Sequence, residues 1–307
     1  MKGYQKTLNN SHIFEGKGLH TGHHCRMTLF PAPTDHGIVF KRIDLGEDAL
    51  VEASWRNVSG TARSTLLSKN GVEVMTIEHL LSALYGLGAD NVLVEIDNME
   101  LPILDGSARP YVEALITDGL NVQDRPRRYL KVAEPFLFED PETGASLQVL
   151  PAERFSVEVE IDYGSKVLGV QKAKFTEGDD FASEIASCRT FCFLHELEFL
   201  LNHNLIKGGD MDNAIVIVEN EVDDKTLSRL KSIFNVENLE RVPEGYLNNL
   251  TLHFDNECAR HKLLDLIGDF ALAGLPLKAR VIARKPGHAI NTAALKSMFE
   301  KNNIISS

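Results

Sequence analysis

Two short segments of this sequence combine histidines with carboxylates at spacings that suit metal-assisted hydrolysis. In one segment His261 precedes Asp265 by four residues, so both side chains share one face of a predicted helix. In the other, Glu78 directly precedes His79 at the start of a second predicted helix. Two imidazoles and one carboxylate form an open zinc site, which keeps a fourth position for water. Glu78 is then the candidate general base.

A third histidine, His288, follows Gly287 between a predicted strand and the last predicted helix. As a cation near the reaction centre it would stabilise an oxyanion and protonate a leaving amine. Asp269 would set its tautomer and raise its pKa. His261, Asp265 and Asp269 also form a polar stripe along a helix otherwise rich in leucine. Such a stripe beside apolar surface requires partners.

These residues also have explanations that involve no catalysis. His261 and Asp265 are spaced for an exposed ion pair on a helix. Glu78 is placed to stabilise a helix N-terminus, and His288 to cap a helix or lie in a solvated loop. The alternative to an enzyme is therefore a non-catalytic protein with a structural metal site or a salt-bridge network.

The composition narrows the class of protein. Hydrophobic residues make up 43% and charged residues 25%, as in ordinary globular proteins. A net charge of −12 argues against nucleic acid or an anionic bilayer as a partner. No stretch approaches the roughly 20 apolar residues of a membrane span, and the four cysteines form no CxxC pair. We expect a cytoplasmic protein with no stable membrane insertion.

A chain of 307 residues is longer than one hydrophobic core usually organises, so two domains are expected. Residues 123–128 are polar, charged and broken by proline, which is typical of an interdomain connection. We therefore predict an N-terminal α+β domain over residues 1–125, carrying Glu78 and His79. The C-terminal α+β domain, residues 126–307, would carry the other candidate site residues.

The two halves share one order of predicted elements: a helix that carries a histidine, a glycine stop, a strand and another helix. These elements begin at Glu78, Gly86, Val92 and Pro110 in the first half, and at His261, Gly274, Ala279 and Asn291 in the second. If the two histidine-bearing helices pack face to face, one ligand set assembles at their interface. Further predicted elements are strands over 26–30, 37–42, 129–138, 145–150, 155–161 and 214–218, and helices over 181–187, 195–202 and 224–234.

The motifs resemble those of a known family, the zinc-dependent UDP-3-O-acyl-N-acetylglucosamine deacetylases of bacterial lipid A synthesis. The resemblance covers nearly the whole chain and rests on residues 16–22, 76–79, 102–107, 189–191, 208–209, 260–269 and 287–289. It implies an α+β fold of two similar domains, each a β-sheet layered with two helices. The domains would form a β-α-α-β sandwich with the site at their junction.

The resemblance also implies a role for each candidate residue. One Zn²⁺ per chain would be bound by His79, His261 and Asp265. Glu78 would be the general base and His288 a protonated group oriented by Asp269.

The substrate implied by the resemblance is an acylated UDP-sugar. Thr190 would help to hold the oxyanion, and Lys262 would contact the nucleotide sugar. A βαβ insertion in the second domain would form a passage for the acyl chain. The residues expected along the substrate are Phe191, Leu194, Leu197, Ile206, Ala214, Val216 and Leu19.

The chain departs from the family pattern in residues 161–169, which lack the commoner His-Pro pair, so nucleotide contacts there are open. Residues 223–249 form a longer segment than in many members, and no cysteine occurs near Arg63. Some members are fused to a downstream acyl-carrier-protein dehydratase, so this chain is expected to be either a single-function form or part of a longer protein. A monomer is expected. The remaining alternative within enzymes is a zinc amidohydrolase for another acylated amine.

Overall fold

The structure is a computed structural model that describes residues 3–197, 207–210, 213–234, 239 and 242–306. The α-helices named below are α1 Glu78–Leu87, α2 Arg109–Asp118, α3 Phe181–Glu184, α4 Asp224–Phe234, α5 Glu257–Ala271 and α6 His288–Glu300. Residues 194–197 are also helical. The rest of the helix predicted over 195–202, from residue 198 onwards, lies outside the described residues.

The strands are short and distributed over both halves of the chain. In the first half they are β1 Tyr4–Leu8, β2 His12–Lys17, β3 His24–Pro31, β4 Ile38–Arg42, β5 Leu50–Glu52, β6 Val58–Gly60, β7 Leu66–Lys69, β8 Val72–Met75, β9 Val92–Ile96 and β10 Leu120–Pro126. In the second half they are β11 Leu130–Val132, β12 Phe136–Asp140, β13 Ala145–Pro151, β14 Ser156–Asp162, β15 Val170–Thr176, β16 Phe191–Phe193, β17 Ile215–Val218, β18 Gly245–Tyr246, β19 Leu277–Arg284 and β20 Ile304–Ser306.

The first half contains a five-stranded sheet with the strand order β2-β3-β9-β4-β5. Strands β4 and β9 are parallel, and α1 lies in the crossover between them. The other neighbouring strands are antiparallel. Val92, Val94 and Ile96 alternate with less buried residues along β9. That period of two buries one face of the sheet beneath the helices.

The second half repeats this arrangement with the order β12-β13-β19-β14-β15. Strands β14 and β19 are parallel, α5 lies in the crossover, and the remaining pairs are antiparallel. Helix α6 follows β19 as α2 follows β9. Strands β11 and β20 widen this sheet. The prediction of two similar α+β units is therefore confirmed.

Helices α1 and α5 join the two units. They pack along each other, and α5 also packs against β14, β15 and α6. Buried apolar residues from both halves form one continuous core, because each helix must cover the apolar face of its own sheet and of its partner helix. The first turn of α1 and the middle of α5 consequently meet inside the protein.

Three parts of the second half differ from the sequence-based expectations. The strand predicted over 129–138 is divided into β11 and β12. Pro135 has no N–H to donate to a neighbouring strand. Asn303 forms hydrogen bonds with the backbone of Ala133 and Glu134, the two residues that precede this proline. The helix predicted over 181–187 ends at Glu184, and α6 begins at His288, three residues earlier than expected.

The predicted connection over 123–128 begins within a strand, because β10 extends to Pro126 and pairs antiparallel with β1. The domain division at residues 125 and 126 remains a prediction. None of the described helices combines the length and apolar character needed to cross a bilayer.

A small sheet, β16-β17-β18, forms a separate layer in the second half. Strands β16 and β17 are parallel, and the helical residues 194–197 lie between them in the chain. This layer has its own apolar cluster, which includes Leu197, Val216 and Leu230. The predicted βαβ insertion is thus partly described, and Ile206 lies outside the described residues.

Candidate active site

Three buried side chains from the two central helices converge between the halves. His79 lies in the first turn of α1, and His261 and Asp265 lie one turn apart on α5. Asp265 Oδ1 is 3.4 Å from His261 Nε2 and 3.8 Å from His79 Nε2. All three potential ligand atoms lie within 4.8 Å of one another. The face-to-face packing predicted for the histidine-bearing helices accounts for this cluster.

The donor atoms fit a divalent cation. Asp265 Oδ1 is buried and has no hydrogen-bond partner among the described residues, which is costly unless a cation satisfies it. His261 Nδ1 lies 3.1 Å from the carbonyl oxygen of Cys188, a contact that places the proton on Nδ1 and leaves Nε2 as a donor to metal. Two imidazoles and one carboxylate are ligands that suit Zn²⁺.

The pKa values of these groups favour the protonation states that bind metal. Burial, together with the positive charge of His261, lowers the pKa of His79 to about 3. Burial also lowers the pKa of His261. Burial opposes ionisation of Asp265, but the neighbouring His261 and Lys262 hold the pKa of its carboxyl well below the usual range. Near neutral pH the set is therefore two neutral imidazoles and one carboxylate.

Close contact between α1 and α5 fixes the position of Glu78. A Cβ atom on Gly268 would collide with the backbone carbonyl oxygen of Glu78, so only glycine permits this helix separation. Glu78 is itself buried at the start of α1, beside His79. The glycine of α5 thus allows the candidate base of the first half to approach the ligands of the second.

We expect Gly268→Ala to destabilise the protein, because the added methyl group meets rigid backbone rather than a movable side chain. Overpacking of this kind costs about 1–3 kcal/mol, so the thermal unfolding temperature should fall by several degrees. Gly287→Ala is the matched control, since a Cβ there meets nothing within 4 Å and the backbone φ of −169° is extended. Equal unfolding temperatures for the two variants would contradict this explanation.

A second buried group adjoins the three ligands. His288 Nδ1 lies 3.0 Å from Asp269 Oδ2, and His288 Nε2 lies 3.9 Å from Glu78 Oε1. Burial opposes the charge on His288, but Asp269 and Glu78 together raise its pKa to about 9. Burial raises the pKa of Glu78 to about 7 against the opposing charge of His288. A carboxyl group whose pKa lies near neutral pH, beside a protonated imidazole, is suited to acid–base chemistry.

Thr65 is a member of this group that the sequence did not indicate. Its hydroxyl donates to Asp269 Oδ1 at 2.6 Å and lies 3.3 Å from His288 Nδ1, and its backbone N–H donates to Glu78 Oε2 at 3.2 Å. Asn291 donates to the other oxygen of Asp269 at 2.9 Å. No motif or spacing marks Thr65, because its partners are distant in the chain.

Lys262 and Phe191 extend the site beyond the ligands. Lys262 Nζ donates to Asp265 Oδ2 at 2.9 Å and lies 5.5 Å from the centre of the Phe191 ring. The ring of Phe191 also contacts the ring of His261, with 6.2 Å between their centres. Thr190 precedes Phe191, and its N–H donates to the carbonyl oxygen of Gly106. Phe191 is the first residue of β16, so the β16-β17 layer begins directly beside the ligand cluster.

A cleft continues from Thr190 into the small layer. Five of the residues expected along the substrate border it, namely Leu19, Phe191, Leu197, Ala214 and Val216. Leu194 does not border this cleft and packs instead against the apolar cluster of the small layer. Arg63, His20, Cys192 and Asp210 also border the cleft and were not foreseen.

The loop that carries Leu19 is organised by a buried carboxylate. Glu100 accepts hydrogen bonds from the backbone N–H groups of His20 and Thr21 at 2.9 and 2.8 Å, and from the Thr76 hydroxyl at 2.9 Å. Thr76 adopts a positive φ of 60° just before α1. The same carboxylate therefore connects the cleft to the start of the helix that bears His79.

Two relatives of this chain are named as bifunctional enzymes. The chain is 45% identical to the Bifunctional enzyme LpxC/FabZ of Bacteroides thetaiotaomicron and 46% identical to that of Porphyromonas gingivalis, over 96% and 94% of its length. It spans 64% and 62% of those two proteins.

A third relative matches this chain over most of the length of both proteins. The UDP-3-O-acyl-N-acetylglucosamine deacetylase of Cellvibrio japonicus is 37% identical over 97% of this chain and 91% of its own length. The family model described as UDP-3-O-acyl N-acetylglycosamine deacetylase matches residues 5–234 and 239–300. The match includes both halves of the chain and every residue of the buried cluster. On this evidence the chain belongs to the UDP-3-O-acyl N-acetylglycosamine deacetylase family.

Proposed function

We propose that this protein hydrolyses the N-acetyl group of UDP-3-O-acyl-N-acetylglucosamine, giving acetate and UDP-3-O-acyl-glucosamine in lipid A biosynthesis. The observation that carries the proposal is the buried cluster of His79, His261 and Asp265 beside Glu78 and His288. A metal-ligand set next to an acid–base pair is the equipment of a hydrolase for a stable amide. Family membership supplies the substrate class.

In this proposal one Zn²⁺ per chain is held by His79, His261 and Asp265. When bound, it supplies Lewis acidity for the acetamide carbonyl and makes water easier to deprotonate. Lys262 supports the ligand set by donating to the second oxygen of Asp265, which leaves Oδ1 directed at the imidazoles.

Glu78 and His288 divide the proton transfers between them. Glu78 accepts a proton from the attacking water as the new C–O bond forms. His288 donates its Nε2 proton to the departing amine nitrogen as the C–N bond breaks, and Asp269 holds Nδ1. Thr190, which borders the cleft, is proposed to help to stabilise the oxyanion.

The cleft is proposed to receive the acyl chain. Its wall includes Leu19, Leu197, Ala214 and Val216, and apolar walls favour a hydrocarbon chain over water. Phe191 lies between this wall and His261, so it would contact the substrate close to the reacting amide. Besides its contact with Asp265, Lys262 would offer a positive charge to the nucleotide sugar.

The pKa values predict a bell-shaped dependence of kcat/KM on pH. Glu78 acts when deprotonated, so activity should rise as pH increases through its pKa of about 7. His288 acts when protonated, so activity should fall above its pKa of about 9. With a divalent cation held by the neighbouring ligands, the pKa of Glu78 would be lower and the acidic limb would lie at lower pH. A pH–rate series should show the alkaline limb in the wild type and not in His288→Gln.

The direct test measures acetate released from UDP-3-O-acyl-N-acetylglucosamine by the purified protein, before chelation, after chelation and after addition of Zn²⁺. We expect turnover to disappear with the chelator and to return with zinc. UDP-N-acetylglucosamine without the acyl chain is the matched substrate control and should react far more slowly. Equal turnover of both substrates would favour an amidohydrolase for other acylated amines. No turnover from a folded, zinc-loaded sample would favour a structural metal site.

Three wider expectations belong to the same proposal. The division into residues 1–125 and 126–307 is supported by the repeated sheet order. A cytoplasmic location is supported by the four cysteines, all of which are free thiols, as is usual in reducing compartments. A dehydratase partner fused to the same chain is suggested by the names of the two bifunctional relatives.

A further inference from the structure

Thr65 lies at the meeting point of three helices. It is fully buried directly before β7, and its partners are Glu78 on α1, Asp269 on α5 and His288 on α6. Burial of an uncharged hydroxyl among ionisable groups is favourable only when its hydrogen bonds are satisfied. The geometry of these bonds therefore indicates what the residue does.

The hydroxyl group orders the dyad of Asp269 and His288. Its single proton is directed to Asp269 Oδ1 at 2.6 Å, a length typical of O–H···O⁻ bonds. The Thr65 oxygen is then free to accept from His288 Nδ1 at 3.3 Å, beside Asp269 Oδ2 at 3.0 Å. Both acceptors require the proton on Nδ1. The imidazole is thereby held with Nε2 directed towards Glu78.

The backbone of the same residue orders Glu78. The N–H of Thr65 donates to Glu78 Oε2 at 3.2 Å, so this oxygen is already engaged. The other oxygen, Oε1, lies 3.9 Å from His288 Nε2. One residue thus distinguishes the two oxygens of the carboxylate and the two nitrogens of the imidazole.

We propose that Thr65 is a positioning residue for the acid–base pair, whose hydroxyl keeps Nδ1 of His288 protonated and whose amide leaves Oε1 of Glu78 as the reacting oxygen. The kinetic part of this inference rests on the proposed deacetylase function. Thr65 touches neither the substrate nor the metal ligands in this assignment. It acts through Glu78 and His288.

The test compares Thr65→Val, which removes the hydroxyl and keeps the shape and the amide, with Thr65→Ser, which keeps the hydroxyl. We expect Thr65→Val to lower kcat by about 10–100-fold, the usual cost of losing an orienting partner, with KM little changed. Thr65→Ser should restore most of kcat. Ser82→Ala is the matched control, because its hydroxyl is equally buried and has no hydrogen-bond partner in the described part of the chain.

A second measurement does not depend on turnover. In protein labelled with ¹⁵N-histidine, the Nδ1 proton of His288 should give a low-field resonance, assigned by its absence in His288→Gln. We expect this resonance in the wild type, Thr65→Ser and Ser82→Ala. In Thr65→Val it should shift or exchange faster with water, because one of the two acceptors has been removed.

The outcomes separate this inference from the proposed function. Equal losses in Thr65→Val and Thr65→Ser would overturn it in favour of simple packing, and a rise in KM alone would overturn it in favour of substrate contact. Unchanged kcat with an unchanged resonance would also overturn it. If the wild type releases no acetate, the proposed function fails. The Nδ1 proton resonance of His288 then tests the role of Thr65 without turnover. A shifted resonance in Thr65→Val supports the positioning role, and an unchanged resonance refutes it.

Discussion

Glu78→Gln should reduce kcat by about 10²–10⁴-fold, the usual contribution of a positioned general base, while the protein keeps its metal. Glutamine preserves the shape of the side chain and an oxygen that can accept from the Thr65 N–H, but it cannot take a proton from water. Glu78 is not one of the three clustered ligand candidates. Metal content by elemental analysis and acetate release on one sample separate the two effects.

Glu113→Gln is the control for this experiment. Glu113 lies on α2 with its side chain 70% exposed, near Arg109 at 3.8 Å. Exposed ion pairs contribute little, so activity and metal content should match those of the wild type. Loss of metal in Glu78→Gln would show that this carboxylate binds the cation and would remove it from the role of base. Normal turnover in Glu78→Gln would likewise remove Glu78 from the role of base.

His261→Ala should lose both metal and activity. Removing one of three ligands leaves two and also opens a cavity, because His261 is 1% exposed and packs against the rings of His79 and Phe191. The zinc content measured by elemental analysis should fall from about one Zn²⁺ per chain towards zero. Thermal unfolding should no longer respond to added zinc, whereas that of the wild type should move upwards.

The control is His24→Ala, since His24 is exposed on β3 and is not part of the cluster. It should keep its zinc and its zinc-dependent unfolding temperature. If His261→Ala bound zinc as tightly as the wild type, the ligand set would have to be drawn from other residues. The proposed mechanism would then have no metal site beside Glu78 and His288.

The helical part of the site could be predicted from sequence because its geometry is local. A spacing of four residues on one helix places His261 beside Asp265 whatever the rest of the fold does. The repeated order of elements then indicated that a second helix, with His79, would supply the missing ligand. The common strand order of both sheets explains why the three side chains lie together, whereas their role as ligands stays a prediction.

The parts that escaped prediction depend on contacts between distant residues. Thr65 is 204 residues from Asp269 and 223 from His288, so no periodicity connects them. The break between β11 and β12 depends on Asn303, 169 residues beyond Glu134. The strand prediction over 129–138 overlooked Pro135, and the remote Asn303 also binds the backbone that would have continued the strand.

The shared strand order has a consequence for cooperativity. The first repeat supplies His79 and Glu78, and the second supplies His261, Asp265 and His288, so neither repeat holds a complete set. A cation that requires ligands from both binds only when the repeats are docked, and its free energy of binding adds to the free energy of docking. On the proposed function, metal affinity and the docking of the two repeats are therefore thermodynamically linked through the contact between α1 and α5, and the proposed catalysis requires both.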